Sequence, residues 1–270
     1  MKHGYSILST IIETDRPIDC LQAFECKECK DDSPHIVLET QDDSKENQCY
    51  GVQYIPQKQT QLMKSLFFSQ KDKTQYLYSS EKDYSKLYMN INEKCDEITF
   101  LELLMVGFYS YMSLKDTILT HASAVEYEGK GIVFTAASGV GKTTQAELWA
   151  KYKNAKILNG DKVFLKQEKD KIHAWGSPWK GSSSYARNES AKLRAIVVLE
   201  QAEENSIQKL EGLDMLEYVV PHVFFPSWDT NCEQAVLTFL DKVLEETEVY
   251  LLKCRPDEEA VELLAATIKE

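Results

Sequence analysis

The stretch TAASGVGKTT, from Thr135 to Thr144, constrains this chain more than any other, because it has the pattern of a loop that holds phosphate. Such loops contain a glycine, four further residues, a second glycine, a lysine and then serine or threonine. Here Ala136 takes the first position, while Gly141, Lys142 and Thr143 take the last three. Alanine is acceptable first if its backbone stays in a conformation open to residues with side chains. The sequence predicts a strand, a phosphate loop and a helix in that order.

The residues on either side of the loop fit this prediction. An apolar strand, GIVF at 131–134, leads in, and a helix over Lys142–Tyr152 leads out. Backbone amides of the loop are then expected to point at phosphate oxygens above the helix N-terminus, with Lys142 on the β- and γ-phosphates and the Thr143 hydroxyl on Mg²⁺. The residues predicted to hold the nucleotide are Ala137, Ser138, Gly139, Val140, Gly141, Lys142, Thr143 and Thr144. A glycine-rich turn that only caps the helix is the structural alternative.

A histidine is predicted beside the loop from strand pairing. The strand HASAVEY, beginning at His121, precedes the loop strand and is joined to it by the tight turn EGKG at 128–131. If Glu128 faces Gly131, the same pairing places His121 level with Ser138. The alternative is a histidine that only fills a strand end.

A carboxylate follows in the turn NGD at 159–161. Asp161 can bind Mg²⁺ directly or through water, or take a proton from an attacking hydroxyl. A turn aspartate that only makes local hydrogen bonds is the other interpretation. We therefore predict Thr143 and Asp161 as metal ligands, and Asp161, His121 and Lys142 as the catalytic groups.

Downstream, the sequence predicts a hairpin over Val163–Gln167 and Lys171–Trp175, followed by the small-residue segment GSPWKGSSS at 176–184. That composition suits a loop that approaches a substrate closely, and equally suits a plain surface loop. Three cations could stabilise a transferring phosphoryl group: Lys180, Arg187 and Arg194. Of these, Arg194 is the best placed to be held rigidly, because it opens an apolar strand.

The first hundred residues read differently from the rest and show no catalytic constellation. We predict a β-rich accessory domain over 1–97 and a catalytic domain over 98–270. Strands predicted in the first part are Tyr5–Glu13, His35–Thr40, Gln75–Ser79 and Lys86–Ile91. The later elements predicted are a buried helix over Thr99–Tyr111, a helix over Asn231–Glu246, a strand over Glu248–Cys254 and a helix over Pro256–Lys269.

Charge and cysteine content exclude several classes of protein. A net charge of −12 with no basic block argues against nucleic-acid binding. No segment has the length and apolarity of a membrane span, and no signal peptide is recognisable, so a cytoplasmic location is expected. The 7 cysteines suit reduced thiols. Cys26 and Cys29 have the spacing of half a zinc site, which Cys20 and Cys49 would have to complete.

The order His121-Ala-Ser-Ala, hairpin, ASGVGKT, Asp161 and then Gly-Ser-Pro-Trp resembles the catalytic domain of HPr serine kinase/phosphorylase. It is more similar still to HPr-kinase-related proteins found beside peptide-modification genes, some of which phosphorylate a serine of a peptide. The resemblance covers about Leu119 to Leu210. It implies an α/β (α+β) fold whose mixed sheet carries the phosphate loop, as in phosphoenolpyruvate carboxykinase.

By the same resemblance, Lys142 and Thr143 hold triphosphate and magnesium, and His121 and Asp161 match a histidine and the second of two adjacent aspartates. Gly160 stands where that family has the first aspartate. The arginine- and glycine-rich stretch linked to phosphorylase activity is not evident, which leaves dephosphorylation and HPr as a substrate without support.

Two functions from different classes remain open at this point. One is an ATP- and Mg²⁺-dependent phosphotransferase acting on a hydroxyl, serine above all, of a peptide, protein or small molecule. The other is a nucleotide-sensing module that binds ATP without transferring phosphate and regulates a partner. A carboxykinase-like reaction has little support, because no set of metal-binding histidine and lysine residues is evident. The oligomeric state is not fixed by the sequence.

Overall fold

The structure is a computed structural model that describes residues 2–26, 35–41, 64–70, 73–79, 81–90 and 97–269. The described residues form a mixed α/β fold with two sheets of mixed strand orientation. The chain divides into two compact units, Met1–Lys115 with Pro226–Glu233 and Asp116–Phe225 with Gln234–Glu270. Within the described residues, no helix is both long and apolar enough to cross a bilayer.

The first unit contains a sheet of 6 strands in the order β1-β2-β3-β6-β5-β4. These strands are β1 His3–Ile7, β2 Thr10–Thr14, β3 His35–Gln41, β4 Lys64–Gln70, β5 Lys73–Ser79 and β6 Lys86–Asn90. Helix α1, Glu97–Ser113, follows and buries Leu103, Leu104 and Phe108 completely. The predicted helix over Thr99–Tyr111 is therefore confirmed and extends slightly at both ends.

The single strand predicted over Tyr5–Glu13 is wrong, because β1 and β2 form a hairpin there. Ile7 pairs with Thr10, so the turn consists of Leu8 and Ser9 alone. Both turn residues have positive φ, 52° and 59°. In a two-residue hairpin, a turn of this conformation matches the right-handed twist of the two strands. Neither is asparagine, aspartate or glycine, the residues that favour a two-residue hairpin turn with positive φ at both positions.

The second unit contains a sheet of 8 strands in the order β11-β10-β7-β8-β12-β14-β13, with β9 paired to β7 and a further pairing of β11 with β12. Its strands are β7 Thr117–Tyr127, β8 Lys130–Thr135, β9 Lys156–Asn159, β10 Lys162–Glu168, β11 Lys171–Trp175, β12 Ser190–Gln201, β13 Ser206–Leu210 and β14 Glu248–Cys254. The remaining helices of the chain are α2 Lys142–Lys153, α3 Leu213–Val219, α4 Thr230–Glu246 and α5 Glu258–Thr267.

Strand β8 lies in the middle of this sheet, antiparallel to β7 and parallel to β12. Helix α2 packs over it through Trp149, which is fully buried against the rings of Phe134 and Tyr127. Such packing fixes the direction in which the chain leaves β8. The loop of residues 136–141 is therefore held between a buried strand and a helix with one buried face.

The predicted pairing of β7 with β8 is wrong by two residues. Tyr127 pairs with Lys130, so the turn is Glu128-Gly129, and the ladder ends where Ala122 pairs with Thr135. Glu128 and Gly129 have φ of 50° and 75°, again the conformation that suits a two-residue hairpin. His121 is thus not level with Ser138 in the ladder, although its carbonyl accepts a hydrogen bond from the Thr135 hydroxyl at 3.0 Å.

Candidate functional site

The loop between β8 and α2 has the conformation that its two glycines allow. Gly139 has φ +81° and Gly141, the residue before α2, has φ +122°, where L side chains rarely occur. Ala136 is buried and is not among the residues with positive φ. Its side chain is therefore tolerated at the position where phosphate loops usually have glycine.

Lys142 begins α2 and turns its side chain back onto the loop. Its Nζ donates hydrogen bonds to the carbonyls of Ala136 at 3.0 Å and Ala137 at 3.3 Å, and the residue is only 7% exposed. Burial lowers the pKa of this amine, while the negative charge of Asp161 opposes that shift. A desolvated cation held by neutral carbonyls favours an anion as its next partner.

Two more contacts fix the first turn of α2. The Ser123 hydroxyl, on β7, donates to the Lys142 carbonyl at 2.6 Å. The Thr143 hydroxyl donates to the Gly160 carbonyl at 3.0 Å. Its oxygen is therefore directed toward the turn that carries Asp161, and it keeps lone pairs to accept from or coordinate another group.

Asp161 lies between two basic side chains. Its Oδ1 is 3.3 Å from His121 Nδ1, and its Oδ2 is 2.8 Å from Lys162 Nζ. The hydrogen bond with His121 and the ammonium of Lys162 hold the pKa of Asp161 well below its usual range, despite burial. The carboxylate is consequently ionised at neutral pH and poised to hold a cation.

Asn159, which the sequence reasoning did not single out, positions that carboxylate. It is fully buried, and its Oδ1 accepts hydrogen bonds from the backbone amides of Asp161 at 2.8 Å and Lys162 at 2.9 Å. Its Nδ2 donates to the carbonyl of Ser177 at 2.9 Å. The turn sequence Asn-Gly-Asp is the signal that could have found it, since asparagine side chains commonly bond the backbone two residues on.

The small-residue segment Gly176–Ser184, called the strap here, lies directly against the Asp161 turn. A Cβ on Gly181 would be 2.7 Å from Asp161 Cγ, and a Cβ on Gly160 would be 2.4 Å from Ser183 Oγ. Both contacts are closer than any side chain permits. Glycine at 160 and 181 is thus what lets the strap and the turn touch.

These elements enclose one cavity of about 260 Å³. Its lining residues are His121, Ser138, Gly139, Gly141, Lys142, Thr143, Thr144, Gly160, Asp161, Lys180, Ser182 and Ser183. The structure therefore brings together the two predicted clusters, the loop and the His121–Asp161 pair. Of the residues predicted to hold nucleotide, Ala137 and Val140 are not in the lining, and the Val140 carbonyl instead accepts from Gln201 at 3.2 Å.

Of the three candidate cations, one lines the cavity and two make contacts elsewhere. Lys180 lines the cavity. Arg187 Nε donates to the Ile157 carbonyl at 3.0 Å, outside the lining. Arg194 is held rigidly, as expected, but its partners are the Ile268 carbonyl and Glu248, so it is a structural link to the C-terminal segment.

A second histidine that sequence reasoning missed lies near the site. His222 belongs to the short turn after α3, which β7 holds through a hydrogen bond from the Phe224 amide to the Leu119 carbonyl at 2.9 Å. Burial lowers the pKa of His222, and the charges of Lys142 and His121 lower it further. No local sequence pattern pointed to it, because only the tertiary fold brings it here.

The cavity offers oxygen donors to a metal ion. Among the described residues no group of three or more His, Cys, Asp or Glu side chains is assembled as a metal site. The Thr143 hydroxyl and the Asp161 carboxylate are two of the hard oxygen donors in the lining, and this pair fits Mg²⁺ when phosphate and water complete its shell. Of the predicted Cys26 and Cys29 pair, Cys29 lies outside the described residues, as does Cys49.

The chain is similar to known proteins in structure but not in sequence. No family model matches the sequence, and no curated protein matches it. Among solved structures, the chain is similar to the HPr(Ser) kinase/phosphatase from Coxiella burnetii, with 10% identity, a TM-score of 0.35, and coverage of 56% of this chain and 95% of that one. At this TM-score the likeness assigns no residue roles and no activity, which therefore depend on the site itself.

Proposed function

We propose that this protein is a Mg²⁺-dependent kinase that transfers the γ-phosphoryl group of ATP to a hydroxyl, serine above all, of a peptide, protein or small molecule. The observation that carries the proposal is the cavity that Lys142 and the loop line together with Asp161 and His121. A helix cap alone would not need a buried lysine, an ionised carboxylate and a histidine at the same place.

Phosphate binding follows from the loop and the helix behind it. The N-terminus of α2 carries unpaired amides and the positive end of the helix dipole, both of which favour anions. Gly139 and Gly141 leave the lining without bulky side chains, so the backbone can approach phosphate oxygens closely. Lys142 then exchanges its two neutral carbonyl partners for phosphate, where both partners are charged and the interaction is stronger.

Magnesium fits the donors available. Thr143 and Asp161 would hold it, and bound Mg²⁺ would supply charge neutralisation between the β- and γ-phosphates. Asp161 is ionised at neutral pH, and because His121 and Lys162 lower the pKa of its carboxyl it stays ionised at lower pH as well. It can therefore hold a cation without first losing a proton.

Transfer to a hydroxyl requires positioning more than covalent chemistry, because the transition state of phosphoryl transfer is loose. In such a reaction the acceptor proton leaves late, and a weakly basic carboxylate suffices. Asp161 would accept that proton or fix the metal. His121, 3.3 Å from Asp161 Oδ1, would orient the acceptor or the phosphate, and Lys180 at the rim would add positive charge.

Labelled phosphoryl transfer tests this function. Purified protein is incubated with Mg²⁺, γ-³²P-labelled ATP and candidate serine-containing peptides, comparing wild type with Asp161→Asn. Transfer is expected to fall by about 10²- to 10⁴-fold in that variant, the range that a positioned acid or base contributes. Asp170→Asn is the matched control, because Asp170 is exposed in the turn between β10 and β11.

Equal transfer by wild type and Asp161→Asn would remove Asp161 from the chemistry. If the protein binds nucleotide but transfers phosphate neither to a candidate peptide nor to any protein of a cell extract, the nucleotide-sensing module is favoured instead. No specific feature of the cavity favours that alternative over the kinase.

A further inference from the structure

The strap contributes hydroxyl groups to the same cavity as the phosphate loop. Ser182 and Ser183 line the cavity together with Lys142, Thr143 and Asp161. If the proposed function holds, these two side chains are acceptor groups already present beside the transferred phosphoryl group. Their presence raises the question of whether the chain modifies itself.

Two contacts hold the strap at this position. Gly181 lies so close to Asp161 that no Cβ fits between them, and Ser183 lies equally close to Gly160. Gly181 has φ +57°, which lets the strap bend at the point of contact. Ser182 follows Gly181 directly in the chain and lines the same cavity as Asp161.

The hydroxyls of the strap are not equivalent. Ser183 Oγ donates to the Lys180 carbonyl at 2.7 Å and accepts from the Tyr185 amide at 3.4 Å, so it is engaged within the strap. Ser184 is exposed and lies outside the cavity lining. Ser182 is exposed, lines the cavity, and has no hydrogen bond from its hydroxyl to any described residue.

We propose that Ser182 is a self-phosphorylation site, modified in cis by the cavity that it lines. This inference rests on the proposed kinase activity. The reaction forms a bond between Ser182 Oγ and the γ-phosphorus of a nucleoside triphosphate, and breaks the bond from that phosphorus to the oxygen bridging to the β-phosphate. The nucleoside diphosphate leaves with that electron pair, and the hydroxyl proton passes to solvent by way of the Asp161 carboxylate.

The modification has a physical consequence for the cavity. A phosphoserine carries a charge of about −1.5 to −2 at neutral pH. At position 182 that charge would lie within reach of Lys180 and Lys142, the cations that line the cavity. Phosphorylated Ser182 would therefore occupy the space of a nucleotide phosphate, and self-phosphorylation would lower the activity of the protein.

The test uses full-length protein, first treated with a phosphatase that is then removed, and incubated with Mg²⁺ and γ-³²P-labelled ATP without any added acceptor. Peptide mapping by mass spectrometry is expected to find the phosphoryl group on Ser182. The Ser182→Ala variant should lose the label. Ser184→Ala, a change of the same chemistry two residues away, should keep the wild-type level. The fraction labelled per minute should not change with protein concentration, since the reaction is intramolecular.

Several results would overturn the inference. Label on another residue, an undiminished level in Ser182→Ala, or a labelling rate that rises with protein concentration would each exclude a cis reaction at Ser182. Transfer to peptides with no label on Ser182 would refute this inference and leave the kinase proposal standing. Failure of the wild-type protein to bind ATP by calorimetry would remove both.

Discussion

The contact between the strap and Asp161 can be tested by adding one methyl group. In Gly181→Ala, the new Cβ would lie 2.7 Å from Asp161 Cγ, whereas ordinary contacts begin at 3.4 Å. Either the strap or the carboxylate must therefore move by about 0.7 Å. Displacements of roughly 1 Å in an active site can cost about 100-fold in rate, so we expect transfer activity to fall by about that factor.

The same substitution has a second cost that must be separated from the first. Gly181 has φ +57°, and an L residue in the left-handed conformation costs about 1–2 kcal/mol. Each kcal/mol corresponds to a fall in Tm of roughly 2–4 °C in a protein of this size. Gly129→Ala is the matched control, because Gly129 has φ +75° but nothing within 4 Å of its added Cβ.

The assay measures Tm, labelled phosphoryl transfer and tryptic cleavage after Lys180, the exposed lysine of the strap. Both variants should lose a few degrees of Tm. Only Gly181→Ala should lose transfer activity and be cleaved faster, because only there is the strap displaced. Equal activity and equal cleavage rates in the two variants would refute the claim that the strap is seated on Asp161.

Three further predictions follow from buried contacts. Gly160→Ala should reduce activity because its Cβ would be 2.4 Å from Ser183 Oγ, and the double variant with Ser183→Gly should recover part of the loss; no recovery in a double-mutant cycle would contradict the contact. Tyr84→Phe should lower the free energy of unfolding by about 1.5–3 kcal/mol, measured by urea denaturation, since the Tyr84 hydroxyl donates to buried Asp229 at 2.6 Å. Asn159→Ala should lower kcat more than nucleotide affinity, because it frees the Asp161 turn. If kcat and nucleotide affinity fall by the same factor, Asn159 has a purely structural role.

Local patterns predicted the secondary structure of the second unit well. The strand over Glu248–Cys254 and the second hairpin strand over Lys171–Trp175 are confirmed at both ends. The helix predicted over Asn231–Glu246 is confirmed with one added residue, since α4 begins at Thr230. The helix predicted from Pro256 begins instead at Glu258, because the Asp257 side chain accepts from the Ala260 amide and caps it.

Strand order and register were harder to predict, because they depend on contacts distant in sequence. Pairing of β11 with β12, for example, joins residues across the whole strap and has no local signature. The register of β7 with β8 was predicted two residues away from the observed pairing, because Glu128 takes a left-handed conformation that usually signals glycine or asparagine.

At the site, sequence analysis identifies the residues that belong to a local motif and misses those that only tertiary contacts bring there. Lys142, Thr143 and Asp161 follow from the loop and turn patterns, and the structure brings them to one cavity. The Asn-Gly-Asp turn is a local signal for Asn159, but its burial and its bond to Ser177 follow only from the fold. No local pattern signals His222, because only the fold brings it close to Lys142 and His121. The catalytic and binding roles of these residues stay predictions.

Calorimetric titration with Mg²⁺ and a non-hydrolysable ATP analogue tests the central claim most directly, namely that the loop between β8 and α2 holds a polyphosphate. Wild-type protein should bind. Lys142→Met should weaken binding by about 10- to 150-fold, the loss expected for a charge-assisted hydrogen bond of about 1.5–3 kcal/mol. Lys151→Met, a change at an exposed lysine on the same helix, should leave binding unchanged. No binding by the wild type, or equal binding by Lys142→Met, would contradict the account.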